Sequence, residues 1–160
     1  MKKKKTVTSC PCGSGKALNG CCLRYINGAL SAPAAEALMR SRYTAFTKGE
    51  VDYLLQSLHP DKRDQHEERT IRNWALKSEW IGLEIIETEK GMPGDTEGKV
   101  EFIAKYRQKG RREHHHELAE FKKEDDYLGY VDGIERRRDD VVAIGNVPLK
   151  ALLDYTGSMG

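Results

Sequence analysis

All four cysteines of the 160-residue chain fall within thirteen residues, as Cys10, Cys12 and the adjacent pair Cys21 and Cys22. A disulfide framework spreads its cysteines to join distant segments, whereas a tight cluster of this kind is typical of a metal site. Zinc takes four thiolates in a tetrahedron, and two close pairs joined by a turn can supply them without a large core. The sequence therefore predicts one structural Zn²⁺ held by these four cysteines.

The residues between the two cysteine pairs suit such a site. Gly13, Gly15 and Gly20 permit turns with positive φ, in which backbone N–H groups can point toward sulfur. Four thiolates around a divalent ion leave a net charge of about −2, which Lys16 and Arg24 partly offset. Four protein ligands leave no coordination position for water, so the motif argues against zinc catalysis.

Positive charge is concentrated at the N-terminal end of the chain. Residues 1–25 carry six lysine and arginine side chains and no acidic one, whereas the rest of the chain has a net charge of −4. A partner attracted by charge, either an acidic protein surface or ribosomal RNA, is therefore expected at this end. The lysine run at residues 2–5 is by itself also typical of a solubilising tail.

The composition is that of a water-soluble chain. Charged residues make up 32% of it, hydrophobic residues 38%, and the mean hydropathy is −0.69. No apolar run approaches the roughly 20 residues that span a bilayer, and residues 6–12 lack the apolar stretch of a secretory signal. We expect a cytoplasmic protein without a membrane partner, built from one compact domain and a small appendage.

The pattern of apolar residues after the cysteines is first helical. Helices are predicted over residues 33–46, 51–58 and 61–77. Pro33 lies in the first turn of the first predicted helix, where its missing N–H costs nothing. In the third helix, Ile71, Trp74 and Leu76 are expected to face the core.

From residue 80 the apolar period changes to two, which predicts strands. These strands cover residues 80–87, 99–106, 117–123 and 127–131, and Asp132-Gly133 is expected to form a turn after the last of them. Helices followed by an antiparallel meander must bury one face of the sheet under the helices. The sequence therefore predicts an α+β fold with helices packed on a strongly curved antiparallel sheet.

The segment CPCGSGKALNGCC, residues 10–22, resembles the SEC-C motif, first known at the C-terminus of the preprotein translocase ATPase SecA. In that family the fourth ligand is histidine or cysteine, so the resemblance implies Cys10, Cys12, Cys21 and Cys22 as the full ligand set. In SecA the motif resembles a small docking module that binds the chaperone SecB and ribosomes. The resemblance implies an interaction module rather than a reaction.

The segments ALMRSRYTAF, VEFIAKY and HHELAEF followed by YVDG resemble the YchJ-type bacterial family, whose fold is similar to the cone of nuclear transport factor 2 and ketosteroid isomerase. The resemblance covers about residues 10–133. We expect a basic tail (1–9), a zinc knuckle (10–25), a cone-shaped domain (33–150) and a second tail (151–160). Domains of this kind often dimerise through the open sheet face, which makes a homodimer an expectation. Residues 134–160 match no pattern that assigns them a role.

A cone-shaped fold usually encloses a pocket, and strand alternation indicates which polar residues point into it. If Phe121 faces the core, then Glu117 and His115 lie on the same face of their strand. His114 and His116 lie on the other face, so the three consecutive histidines cannot converge on one metal ion.

Two interpretations of a buried Glu117 are open. It can form a structural ion pair with Arg40 or Arg42 on the first helix, tying helix to sheet. It can instead act as a general base in the pocket. The candidate catalytic residues under this second interpretation are Glu117, His115, Asp132 and Tyr43.

Two hypotheses about function follow. In the first, the protein is a zinc-dependent adaptor whose basic knuckle docks on a protein or ribosomal surface. In the second, the cone binds a small molecule or is an isomerase-like or hydrolase-like enzyme. The adaptor is favoured because the cationic excess lies on the motif, while the cone lacks a nucleophile and a phosphate loop. Trp74 and Trp80 are expected to fill core, and a cone filled by Trp74, Phe102 and Phe121 would exclude the second hypothesis.

Overall fold

The computed structural model describes residues 8–60, 68–124 and 127–135. The helical segments are a 3₁₀ turn at Leu18–Gly20 and helices α1 (Leu23–Ile26), α2 (Ala35–Lys48), α3 (Val51–Gln56) and α4 (Glu68–Lys77). The strands are β1 (Glu79–Lys90), β2 (Glu97–Gln108), β3 (Arg111–Glu124) and β4 (Tyr127–Glu135). All four strands form one antiparallel sheet in chain order, which confirms the predicted α+β class.

Some predicted segments lie outside the described residues. These are the lysine run, the start of the third helix at 61–67, and all positions after residue 135, including the predicted boundary at 150. Within the described part of the chain, no helix is both long and apolar enough to cross a membrane.

The concave face of the sheet carries the core. Period-two alternation turns Val100, Phe102 and Ala104 of β2 and Ala119 and Phe121 of β3 inward, where all five are buried. Irregularities in β1 and between β3 and β4 add local twist to these long strands. The resulting curved sheet wraps around α2, which carries a row of buried side chains along most of its length.

Helix α2 begins two residues later than its sequence predicts. Ala34 is extended, and the N–H of Ala35 donates to the carbonyl oxygen of Gly91 at 2.8 Å. The bond ties the start of α2 to the turn between β1 and β2. Gly91 has a φ of 76°, and a Cβ there would lie 2.6 Å from the Ala35 Cβ. The contact between Gly91, just after the end of β1, and Ala35 therefore determines where α2 starts.

The predicted core face of the third helix was partly wrong. Leu76 is 68% exposed, whereas Ile71 and Ala75 are buried and Trp74 is half-buried. Positions 71 and 75 are one helical turn apart and share a face, while position 76 has rotated toward solvent. The helix itself is confirmed, and its inward residues follow the i, i+4 spacing.

Strand β4 continues through residues 132 and 133, so the predicted turn at Asp132-Gly133 is wrong. Asp132 pairs with Glu120 and Gly133 pairs with Ala119. Glycine is needed here for space, because a Cβ on Gly133 would collide with the carboxylate of Glu117. The pair is therefore part of the sheet.

The connection after α3 docks on β4 through its backbone. The N–H of His59 donates to the Tyr130 carbonyl oxygen at 2.7 Å, and the N–H of Tyr130 donates to that of Ser57 at 2.9 Å. Gly129 allows this approach, because a Cβ there would lie 2.6 Å from the Cα of His59. These two bonds hold the strand that carries Tyr130 against the helical layer.

We predict that Gly129→Ala lowers the free energy of unfolding by about 2 kcal/mol or more, because the added methyl meets backbone that cannot rotate away. Gly94→Ala is the matched control, since a Cβ there meets nothing within 4 Å. Urea unfolding followed by tryptophan fluorescence measures both. A Gly129→Ala variant as stable as the Gly94→Ala control would contradict the close approach.

Candidate metal centre and adjoining cavity

The four cysteine sulfur atoms lie within 4.8 Å of one another, and all four residues are buried. The Sγ atoms of Cys12 and Cys21 are 3.7 Å apart, and those of Cys21 and Cys22 are 3.9 Å apart. Sulfur atoms placed tetrahedrally at about 2.3 Å from an ion are separated by about 3.8 Å. The structure thus brings together all four predicted ligands, in an arrangement that fits a four-coordinate metal ion.

The loop that carries the first pair closes on itself. The N–H of Cys10 donates to the Lys16 carbonyl oxygen at 2.9 Å, and the N–H of Gly13 donates to that of Cys10 at 3.2 Å. Gly13 and Gly15 have φ values of 80° and 83°, as predicted, whereas Gly20 is not among the positive-φ glycines. Left-handed backbone at the first two glycines lets the loop fold around the sulfur atoms.

The thiols differ in acidity. A hydrogen bond with the Cys22 thiol is the main cause that lowers the pKa of Cys12 to about 4. Hydrogen bonds with Ser14 and Cys10 also act to lower this pKa, whereas burial acts to raise it. The shared bond and burial raise the pKa of Cys22 well above its usual value, and burial raises the pKa of Cys21. Cys12 therefore ionises before Cys21 and Cys22, and metal binding must release protons from these two.

The metal loop is packed onto α2. A guanidinium nitrogen of Arg40 donates to the Cys12 carbonyl oxygen at 2.7 Å, and the Sγ of Cys10 lies 3.5 Å from the Thr44 hydroxyl. The cysteines share one core cluster with Leu38 and other buried residues of α2 and the sheet. The knuckle is therefore continuous with the core of the cone. Arg40 serves the metal loop and is not a partner of Glu117.

A cavity of about 210 Å³ lies between α2, α4 and the concave face of the sheet. Aromatic rings form most of its wall, namely those of Tyr43, Phe46, Trp74, Trp80 and Phe102. The rings of Trp74 and Trp80 are 5.5 Å apart, and Phe46 lies 5.0 Å from Trp74. Trp74 and Trp80 thus bound an open space instead of filling it. Phe121, fully buried, lies deeper in the core.

One end of the cavity is polar. The Nε2 of His115 lies 2.6 Å from Oε1 of Glu117, and the Tyr130 hydroxyl donates to Oε2 at 2.9 Å. Both side chains of the histidine–carboxylate pair are largely buried, at 16% and 12% exposure. Arg42 also lines this end, with its guanidinium 4.7 Å from the centre of the Tyr130 ring. These four residues form the polar floor of the cavity.

The polar floor holds Glu117 as a carboxylate. Burial acts to raise its pKa, but the bond and charge of His115, the Tyr130 hydroxyl and the charge of Arg42 together lower it below the usual range. Burial and the Glu117 charge raise the pKa of Tyr130 well above its usual value. A general base works best with a pKa near the working pH, so this arrangement favours binding over proton abstraction.

Not every predicted pocket residue reaches the cavity. Asp132 is exposed, and its carboxylate accepts the N–H of Gly133 at 2.8 Å. His116 lies on the other face of the sheet, where its Nε2 is 2.7 Å from Oε2 of Glu101. His114 lies on that same outer face and is exposed to solvent. The histidine run is divided between the two faces, as strand alternation requires.

Tyr130 is the one floor residue that the sequence interpretation missed. Strict alternation puts Tyr130 and Asp132 on the same face of β4. The register instead skips Val131, because Glu120 pairs with Asp132 and the next residue, Phe121, pairs with Tyr130. This bulge turns the tyrosine inward and the aspartate outward. A bulge at this position has no clear signal in the local sequence.

Comparisons with known proteins agree with this fold. The family model described as "YchJ, middle NTF2-like domain" matches residues 34–133. A UPF0225 protein of Geobacter sulfurreducens is 53% identical over 124 residues, which cover 78% of this chain and 77% of that protein. One from Bordetella pertussis is 45% identical over 136 residues, which cover 83% and 98%.

Two solved structures are similar as well. The solution structure of a SEC-C motif containing protein from Rhodopseudomonas palustris has a TM-score of 0.72 and 33% identity, covering 79% of this chain and 97% of that one. The crystal structure of a SEC-C motif containing protein from Psychrobacter arcticus has a TM-score of 0.67 and 27% identity, covering 77% and 80%. The predicted cone-shaped, nuclear transport factor 2-like fold is confirmed, and the chain belongs to the YchJ family of UPF0225 proteins.

Proposed function

We propose that this protein is a zinc-binding adaptor. Its four-cysteine site takes one structural Zn²⁺, and its basic N-terminal end docks on an acidic surface of a partner protein. The closed set of four buried sulfur atoms supports this most directly, because such a site holds structure and leaves no position for a reacting water.

The donor set suits zinc and does not suit the hard divalent cations. All four cysteines are free thiols, and their sulfur atoms have the spacing of a tetrahedron around a zinc ion. Hard cations such as Mg²⁺ and Ca²⁺ take oxygen ligands, so they do not suit this site. The SEC-C motif named for both similar structures supports the same assignment.

The part of the chain that precedes α2 carries no negative side chain. The first acidic residue of the chain is Glu36, and six basic residues precede it. Lys16 is exposed on the metal loop, and Leu30 is 52% exposed after α1. A basic surface with an apolar residue at its edge suits an acidic protein segment, while the net negative charge of the rest of the chain repels one.

Nucleic acid is a weaker candidate for the partner. Four thiolates around Zn²⁺ carry a charge of about −2, which offsets Lys16 and Arg24. Arg24 is also engaged, since it donates to the Cys21 carbonyl oxygen and to the Tyr25 hydroxyl. RNA affinity grows with the number of phosphate contacts, and the described part of the knuckle offers few cations to make them.

Zinc content and stability give the first test. We predict that Cys21→Ser/Cys22→Ser reduces bound zinc from one ion per chain to none and lowers Tm by roughly 10 °C or more. The fluorescence of Trp74 and Trp80 should report the lower Tm from within the cone, because the cysteines belong to the same core cluster. Elemental analysis and thermal unfolding measure the two effects.

Asn19→Ser is the matched control for the zinc test, since it changes an exposed residue of the same loop. Retention of one zinc per chain by the double serine variant would contradict the metal assignment. Loss of zinc with an unchanged Tm would show that the knuckle does not support the cone.

Partner capture gives the second test. We predict that a variant with five lysines replaced by glutamine captures a protein partner at least about tenfold less well, because the attraction is electrostatic. The replaced residues are Lys2, Lys3, Lys4, Lys5 and Lys16. Affinity purification with quantitative mass spectrometry measures it. The matched control changes five lysines of the cone to glutamine, at positions 48, 77, 105, 109 and 122. Equal capture by both variants, or capture that RNase abolishes, would contradict docking on an acidic protein.

A further inference from the structure

We propose that the cavity of the cone is a binding site for a small uncharged aromatic ligand that carries an N–H or O–H donor. The ligand consists of one or two fused planar rings. Its rings lie between the aromatic walls, and its donor reaches the carboxylate of Glu117 on the polar floor. This site is separate from the metal centre, and the inference does not depend on the adaptor function.

The walls select flat apolar ligands. Trp74 packs edge-on against Trp80 and His115, at 5.5 and 4.9 Å between ring centres. Trp80 in turn lies 5.8 Å from Tyr43 and 5.4 Å from Tyr106. Rings held this way form a rigid surface on which another ring gains dispersion and edge-to-face contacts. At about 210 Å³, the space is below the roughly 300 Å³ at which drug-sized pockets begin, so the ligand is small.

The polar floor selects a hydrogen-bond donor. A carboxylate has about four acceptor positions. Among the described residues, Glu117 receives one bond from His115 and one from Tyr130. A largely buried carboxylate gains further stabilisation from any donor that enters the cavity. The N–H or O–H of a ligand supplies that bond, whereas an acceptor in the same place would face a negative charge.

The charges on the floor select a neutral ligand. Glu117 is ionised and Arg42 is a buried cation beside it, so their charges compensate. The guanidinium of Arg42 is already held by the Leu54 carbonyl oxygen at 2.8 Å and by the Ser57 hydroxyl. Because these two charges offset each other, a charged ligand of either sign gains little net attraction from the floor, and it would lose its hydration on entering the apolar walls.

The cavity can be entered from the surface. Thr70, at the start of α4, lines the cavity and is exposed to solvent. The next residue, Ile71, is buried against the cavity wall. We place the entrance at the first turn of α4, so that a ligand meets the aromatic walls before the polar floor.

Indole and benzothiophene provide the decisive comparison, because they are nearly isosteric and only indole has an N–H donor. Isothermal titration calorimetry with the zinc-loaded full chain at pH 7.5 should show indole binding at least about tenfold more tightly than benzothiophene. Indole-5-carboxylate and 5-(aminomethyl)indole should both bind at least about tenfold more weakly than 5-(hydroxymethyl)indole, which is uncharged and of similar size. These ligands test the donor and the charge separately.

Two variants test the location of the site. Glu117→Gln keeps the size of the side chain, and it should remove most of the preference for indole over benzothiophene. Ala104→Leu fills the cavity from its β2 wall and should abolish binding of both ligands, with folding checked by near-ultraviolet circular dichroism. Glu101→Gln is the matched control, since Glu101 is 13% exposed and bonds to His116 on the opposite face of the sheet.

The proposal is overturned if folded, zinc-loaded protein binds none of these ligands at 1 mM, or if benzothiophene binds as tightly as indole. Equal effects of Glu117→Gln and Glu101→Gln would also overturn it, as would indole binding that survives Ala104→Leu. A charged ligand that binds more tightly than indole would refute the neutral class. None of these results depends on whether the knuckle recruits a partner.

Discussion

The packing of helix α2 against two different structures at once is the constraint on which the rest of the protein depends. Arg40 and Thr44, one turn apart, hold the metal loop. Arg42 and Phe46, also one turn apart, line the cavity. At about 100° per residue these two pairs lie on nearly opposite sides of the helix. Helix α2 therefore lies between the cysteine cluster and the polar floor and fixes the position of both.

Tyr43 lies between the two sites and is affected by both. It belongs to the core cluster that contains the cysteines, and its ring also lines the cavity. Burial, together with the negative charge of Cys12, raises the pKa of Tyr43 to about 12. The phenol therefore stays protonated at neutral pH, and it serves the cavity as a wall. The two arginines considered as partners of Glu117 are likewise divided, since Arg40 serves the metal loop and Arg42 the polar floor.

The features that sequence alone could predict are those encoded by local pattern. The cysteine spacing predicted the ligand cluster, and period two placed His115 and Glu117 on one face of β3. The features it could not predict depend on contacts between distant segments. The start of α2 depends on Gly91, and the inward turn of Tyr130 depends on a bulge opposite β3. No local propensity reports either contact, because each exists only once the sheet has closed on the helices.

The position of the metal loop also limits where a partner can bind. The side of the loop that faces α2 is filled by Arg40 and by the core, so only the outer rim, with exposed Lys16 and Asn19, is accessible. Among the described residues that line the cavity, the exposed one is Thr70, on α4. The proposed docking surface and the proposed ligand site therefore involve different elements of the fold. Helix α2 contacts both the metal loop and the cavity, so it is one route by which an event at either site could affect the other.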